Sequence, residues 1–148
     1  MVDISGILVM DRLGPDLFNK RDPVLSRLRE ELDLARQDKN MIGLLLRIDS
    51  SGGSVTASDI LYHEIYRFGQ ERQLPVVALV LDKALSGGYY VALAADEIIV
   101  HPTSVVGGVG VVALKFNLAG LLEKWGIADD SVKSGEYKDF WSPLRASS

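Results

Sequence analysis

Pro75-Val76-Val77-Ala78-Leu79-Val80-Leu81-Asp82-Lys83-Ala84-Leu85-Ser86-Gly87-Gly88-Tyr89-Tyr90 is the stretch on which the reading of this chain turns. The apolar run from Pro75 to Leu81 predicts a buried strand, and a helix-like run follows from Tyr89 to Ala95. Ser86 lies between them with two glycines behind it. A strand, a tight turn and a helix N-terminus would lift the Ser86 hydroxyl out of a sheet and aim free backbone N–H groups at whatever it attacks. That is the geometry an acyl-transfer nucleophile needs. The same residues would equally make a Ser-Gly-Gly turn without chemistry.

Ile4 to Met10 reads as a strand broken at Gly14-Pro15. Asp22-Pro23 reads as an N-cap followed by proline at the first helical position, with Leu25, Leu28, Leu32 and Ala35 at helical spacing behind it. Ile42 to Ile48 is nearly continuous in apolar residues, the pattern of a strand buried on both faces. Asp49 to Ser54 reads as a loop, Ser58 to Arg72 as a helix with Leu61, Ile65 and Phe68 on one face, and Glu97 to Val100 as a strand. Gly107-Gly108-Val109-Gly110 reads as a flexible elbow, and Asn117 to Trp125 as a helix closed by Gly126. Alternating strands and helices with short connections predict an α/β architecture with a mainly parallel sheet. Ligands bind such sheets beyond the C-terminal ends of the strands, which is where both the 49–54 segment and Ser86 fall.

Bulk properties narrow the function. With 148 residues, 47% hydrophobic and 24% charged, the chain suits one globular domain over residues 1–148. A net charge of −4 argues against a nucleic-acid partner. There is no cysteine, which removes disulfides, thiolate catalysis and cysteine metal sites. The two histidines, His63 and His101, are far apart in sequence, so no metal site is expected. No run of 18 apolar residues is present, and the N-terminus does not read as a signal peptide.

Three segments become informative together: Asp49-Ser50-Ser51-Gly52-Gly53, Ala84-Leu85-Ser86-Gly87-Gly88-Tyr89-Tyr90 and Lys133-Ser134-Gly135-Glu136-Tyr137-Lys138-Asp139. At this separation they resemble signal peptide peptidase A, the S49-type serine peptidases, whose motifs run close to S-P-G-G, A-S-G-G-Y-Y and S-G-x-Y-K-D. The resemblance covers roughly residues 42 to 145. It implies the α/β fold shared by the Clp peptidase and the crotonases, a ββα superhelix with a mainly parallel sheet. It also implies that Ser86 is the nucleophile and Lys138 the general base of a Ser/Lys dyad. Gly53 and Gly87 would be the oxyanion-hole donors, and Gly52, Ser54 and Gly88 would line the substrate. The chemistry is coherent, since a serine hydroxyl is a weak nucleophile until a base takes its proton, and an apolar pocket disfavours an ammonium ion. The family further implies extended apolar peptide substrates such as spent signal peptides, homo-oligomeric assembly, no cofactor, and membrane association through segments absent from this chain.

The chain departs from the family pattern at four places. Ser51 stands where the motif has proline, Leu85 where it has alanine, and Gly108 where a serine would help orient the lysine. The chain also stops soon after Ser142-Pro143, where family members continue, so the expectation is either a C-terminally trimmed domain or a short, divergent member. These departures sustain a second reading, a catalytically impaired relative that binds peptide or acts as a scaffold, and a third, a crotonase-like acyl-CoA binder. Two further patterns compete weakly. Gly108 to Ala113 fits G-x-G-x-x-A with Asp129 behind it, but a dinucleotide fingerprint normally opens the first βαβ unit. His101 could serve as a base for Ser86, though His101-Pro102 reads better as a turn that ends a strand. Lys138 beside Asp139 could also be an ordinary surface ion pair.

Overall fold

In a computed structural model, which describes residues 1–10, 24–135 and 137–144, strands and helices alternate along most of the chain. The order is β1 (Val2–Leu8), α1 (Val24–Gln37), β2 (Leu44–Gly53), α2 (Val55–Arg72), β3 (Val76–Leu85), α3 (Gly87–Ala92), β4 (Glu97–Val100), β5 (Val105–Gly107) and α4 (Ala119–Lys124). The five strands of the described residues form one parallel sheet in the order β1-β2-β3-β4, with β5 also paired to β3. The expected α/β class and parallel sheet are therefore present. The Asp22-Pro23 cap and the Gly14-Pro15 break lie outside the described residues.

The chain divides into two units, Met1–Val111 and Val112–Ser148. In the first, alternate residues of β1, β2 and β3 (Val2, Ile4, Leu44, Leu46, Ile48, Val76, Ala78, Val80) meet Leu28 and Leu32 of α1, Leu61, Ile65 and Phe68 of α2, and Val91 of α3 in one core. Each large apolar side chain so buried contributes about 1.5–3 kcal/mol relative to exposure. Arg72 at the end of α2 donates to the carbonyls of Ala35, Arg36 and Asp38, satisfying acceptors that the end of α1 leaves open. In the second unit α4 is the regular element, and none of the unit's described residues is buried.

Three local expectations are corrected. The Ile42 to Ile48 strand is not buried on both faces: Leu44, Leu46 and Ile48 are buried while Leu45 and Arg47 are exposed, and Ile42 precedes the strand. The sheet order explains this. Right-handed crossovers that always step the same way across a sheet put every helix on one face. The second correction concerns residues 50 to 53, which are strand rather than loop. Ile7 and Leu8 of β1 pair with Gly52 and Gly53, and Ser50 pairs with Ala84 of β3. Third, β3 continues four residues past Leu81, and a short β5 closes on Gly107, the first residue of the expected elbow, its Val105, Val106 and Gly107 pairing with Lys83, Ala84 and Leu85.

Candidate active site

Ser86 is the hinge between β3 and α3, and it is half-buried. Its backbone has φ 49° and ψ −118°, a conformation that L residues avoid and that only a well-supported turn retains. The support is visible. Ser86 N–H donates to Gly107 O at 2.8 Å, and Tyr90 N–H donates to Ser86 O at 3.0 Å. The Ser86 hydroxyl donates to Gly110 O at 3.4 Å, too long to hold it firmly. The hydroxyl thus sits at the end of a strained strand-to-helix turn with little to restrain it.

The glycines around Ser86 are there because backbones approach too closely for a side chain. A Cβ on Gly52, which has φ +92°, would lie 2.8 Å from Gly87 N and 3.0 Å from Ser86 Cβ. One on Gly87 would fall on Ser58 Oγ, and one on Gly88 would lie 2.8 Å from Ser50 O. One on Gly53 would run into the backbone of Leu8. Two segments more than thirty residues apart in sequence, Ser50 to Gly53 and Ser86 to Gly88, are therefore packed backbone against backbone. The structure brings Ser86, Gly52, Gly87 and Gly88 together, with Gly53 adjoining. Gly52 and Gly88 are buried and Gly53 is exposed. Ser54 caps α2: its Oγ accepts from Ala57 N–H at 3.1 Å, its N–H donates to Leu8 O, and its carbonyl accepts from Ser58.

Lys138 lies in the second unit and is exposed; its N–H donates to Gly135 O at 3.2 Å. Its neighbour Asp139 pairs with Lys133 Nζ at 2.7 Å. Lys83, three residues before Ser86, contacts Asp49 at 3.0 Å and Asp82 at 3.2 Å. Hydrogen bonds to Asp49 and then Asp82 push its pKa up, so this lysine stays charged and is no base for Ser86. His101 takes a turn role: its N–H donates to Val80 O, and its ring Nδ1 meets Thr103 Oγ1 at 2.9 Å. The Gly108 to Ala113 pattern opens no helix, the next one starting at Ala119, so it is not a dinucleotide turn. Gly108 has φ +64°, a conformation in which a serine would be strained. Among the described residues no group of three or more His, Asp or Glu could hold a metal, and no helix is long and apolar enough to cross a membrane.

Sequence reading passed over two contributors. Ser50 is fully buried and its hydroxyl joins two strands, and Asp59 accepts from the Tyr90 hydroxyl. Ser50 carries a legible signal, being the polar residue in the series Leu44, Leu46, Ile48, Ser50 on the buried face. Asp59 carries none, because its partner is 31 residues away.

A serine at the end of a parallel strand, with glycine backbone packed against it, is the arrangement of the Clp-peptidase-like α/β fold. The model of peptidase family S49 matches residues 69–148, more than half of the chain, and the chain belongs to this family. It is 36% identical over 116 residues to the chloroplastic serine protease SPPA of Arabidopsis thaliana, covering 78% of this chain and 17% of the relative. It is 30% identical over 142 residues to a protein of Enterococcus faecium provisionally named signal peptide peptidase SppA, covering 96% of this chain and 41% of the relative. The chain thus spans less than half the length of either. In structure it is similar to a mutant of the membrane-bound stomatin-specific protease 1510-N, with TM-score 0.58 and 20% identity over 78% of this chain and 48% of that one.

Proposed function

We propose that the 148 residues act as one S49-type peptidase domain that cleaves extended apolar peptides, spent signal peptides among them. The observation that carries this reading is the strained Ser86 at the β3–α3 junction, packed against the Gly52 backbone. Ser86 Oγ attacks the scissile carbonyl and Lys138 takes its proton. Gly53 and Gly87 N–H groups stabilise the oxyanion, each worth on the order of 3 kcal/mol in the transition state. Collapse of the tetrahedral intermediate breaks the C–N bond and leaves Ser86 acylated, while Lys138 returns the proton to the departing amine. Water, activated by the same lysine, then releases the acid. The substrate lies as an added strand beside Gly53, with Gly52, Ser54 and Gly88 shaping the cleft. No metal or cofactor takes part. An adjoining copy of the chain in a homo-oligomer excludes water from Lys138, and the full-length protein meets membrane-derived substrates through segments outside this chain.

Gly108, with φ +64° where the family motif has a serine, favours a second reading, a catalytically impaired relative that binds peptide or serves as a scaffold. Labelling with a fluorophosphonate across pH separates the two. The peptidase reading expects labelling of the parent chain that is lost in Ser86→Ala and strongly reduced in Lys138→Ala. Absence of labelling at every pH and every protein concentration supports the scaffold.

A further inference from the structure

Register along β2 slips on both sides at the same place. Toward β1, pairing passes from Ser5↔Asp49 to Ile7↔Gly52, so β2 carries one extra residue. Toward β3 it passes from Ile48↔Val80 to Ser50↔Ala84, so β3 carries two. A bulge bends a strand and leaves ladder groups in need of partners. Ser50 lies inside the slip toward β1, is the residue at which pairing to β3 resumes, and is 0% exposed. Its hydroxyl donates to Gly6 O at 2.6 Å and accepts from Gly52 N–H at 3.0 Å, so one oxygen joins the bulged positions of two strands. Gly6 and Gly52 both have positive φ, 83° and 92°. The carbonyl of the same serine lies under Gly88, and the Cα of Gly52 lies against the Ser86–Gly87 peptide.

We infer that Ser50 is a positioning residue for Ser86: its hydroxyl, bridging Gly6 O and Gly52 N–H across the double slip, holds the Gly52–Gly53 backbone at the distance from Ser86 and Gly87 that oxyanion binding requires. Ser50 touches neither substrate nor the reacting atoms. It acts through Gly52. Without the hydroxyl, Gly52 N–H and Gly6 O lose their shared partner, and the glycine backbone is free to settle toward β1 and away from Gly87. A displacement of about 1 Å in such a site costs on the order of 100-fold in rate. The inference rests on the peptidase reading for its effect on rate, but its structural part stands apart from it.

The experiment compares the full chain with Ser50→Ala and Ser50→Cys, the latter keeping volume with a weaker hydrogen-bonding group. The rate of fluorophosphonate labelling at Ser86 is measured per folded molecule, together with its pH profile, the ³¹P resonance of the adduct and the exchange rate of the Gly52 amide. Ser50→Ala is expected to label at least tenfold more slowly with an unchanged pH profile, since the base is untouched. Its ³¹P resonance should move toward the denatured value and its Gly52 amide should exchange faster. Ser50→Cys should fall between. Labelling of Ser50→Ala at the parent rate overturns the inference. If Ser50→Ala does not fold, a Ser50→Cys rate equal to the parent overturns it instead. Should the parent chain itself not label, the peptidase reading is what fails, and an equally protected Gly52 amide in the parent and the variants would overturn the positioning role as well.

Discussion

The Tyr90 hydroxyl donates to Asp59 Oδ1 at 3.0 Å, tying α3 to α2 one turn beyond the nucleophile. Tyr90 also donates its N–H to Ser86 O, so this one residue is fixed both to the strained turn and to the neighbouring helix. The hydrogen bond to Asp59, followed by burial and the nearby carboxylate charge, holds the Tyr90 pKa above its ordinary value. A phenol whose folded pKa is raised contributes stability below its unfolded value, near ~10, and loses it as pH rises through the folded one. Tyr90→Phe should therefore have a lower urea midpoint than the parent at pH 7. The gap between the two should close above pH ~10, where the parent phenol also ionises. Urea titrations at pH 7, 9 and 10.5 check the sign.

Ser86 occupies a backbone conformation that glycine adopts at little cost, whereas for other residues it costs on the order of 1–3 kcal/mol. Ser86→Gly should thus be at least as stable as Ser86→Ala, despite the entropy that glycine adds to the unfolded chain, and neither should label with fluorophosphonate. Paired thermal melts decide this. A Ser86→Gly variant clearly less stable than Ser86→Ala would mean that the turn is not strained.

Gly87 and Gly88 are both crowded, but by different kinds of atom. The Gly87 neighbour is the side chain of Ser58, and the Gly88 neighbour is the carbonyl of Ser50. Each alanine substitution should cost about 1–3 kcal/mol through overpacking. Adding Ser58→Gly should recover part of the loss in Gly87→Ala, and none of it in Gly88→Ala, because backbone cannot be trimmed. Chemical denaturation of the two single and two double variants tests the difference.

Asp3 on β1 receives two hydrogen bonds from Arg47 on β2, at 3.1 and 3.0 Å. That contact lowers the Asp3 pKa. A depressed carboxyl stabilises the fold above its unfolded pKa and ceases to do so as pH falls through the folded value. The parent chain should exceed Asp3→Asn in stability by a constant, modest margin from pH 5 to 8, shrinking below pH 4. Both side chains are partly exposed, so 0.5 M salt should narrow the margin as well.

Much of this arrangement was legible because its causes are local. Leu25, Leu28 and Leu32 announce α1 by spacing alone, and Ser86 with its two glycines marks the junction of β3 and α3. The one-sided sheet was not legible, because a run such as Leu44-Leu45-Leu46 looks alike whether one face is covered or two; the strand order decides. Nor was the strand character of Ser50 to Gly53, since Ser-Gly-Gly has low strand propensity and is held extended by partners at Ile7, Leu8 and Ala84. The short β5 escaped notice because its three residues end on Gly107 and gain their order from Leu85. Lys138 illustrates a different gap. Its place in a motif suggests chemistry, but the burial that would make it a base is a property of surroundings that no short motif contains.

Because every helix of the first unit lies on one face of the sheet, β2 should respond to substitution with a two-residue beat. Lysine should be admitted at Leu45 and rejected at Leu44, Leu46 and Ile48, since only the latter side is sealed from water. At Ser50 the beat keeps its phase but changes what it selects, from apolar volume to a single oxygen able to give one hydrogen bond and receive another. A saturation scan of this strand would locate, without any assay of catalysis, the residue at which packing hands over to geometry.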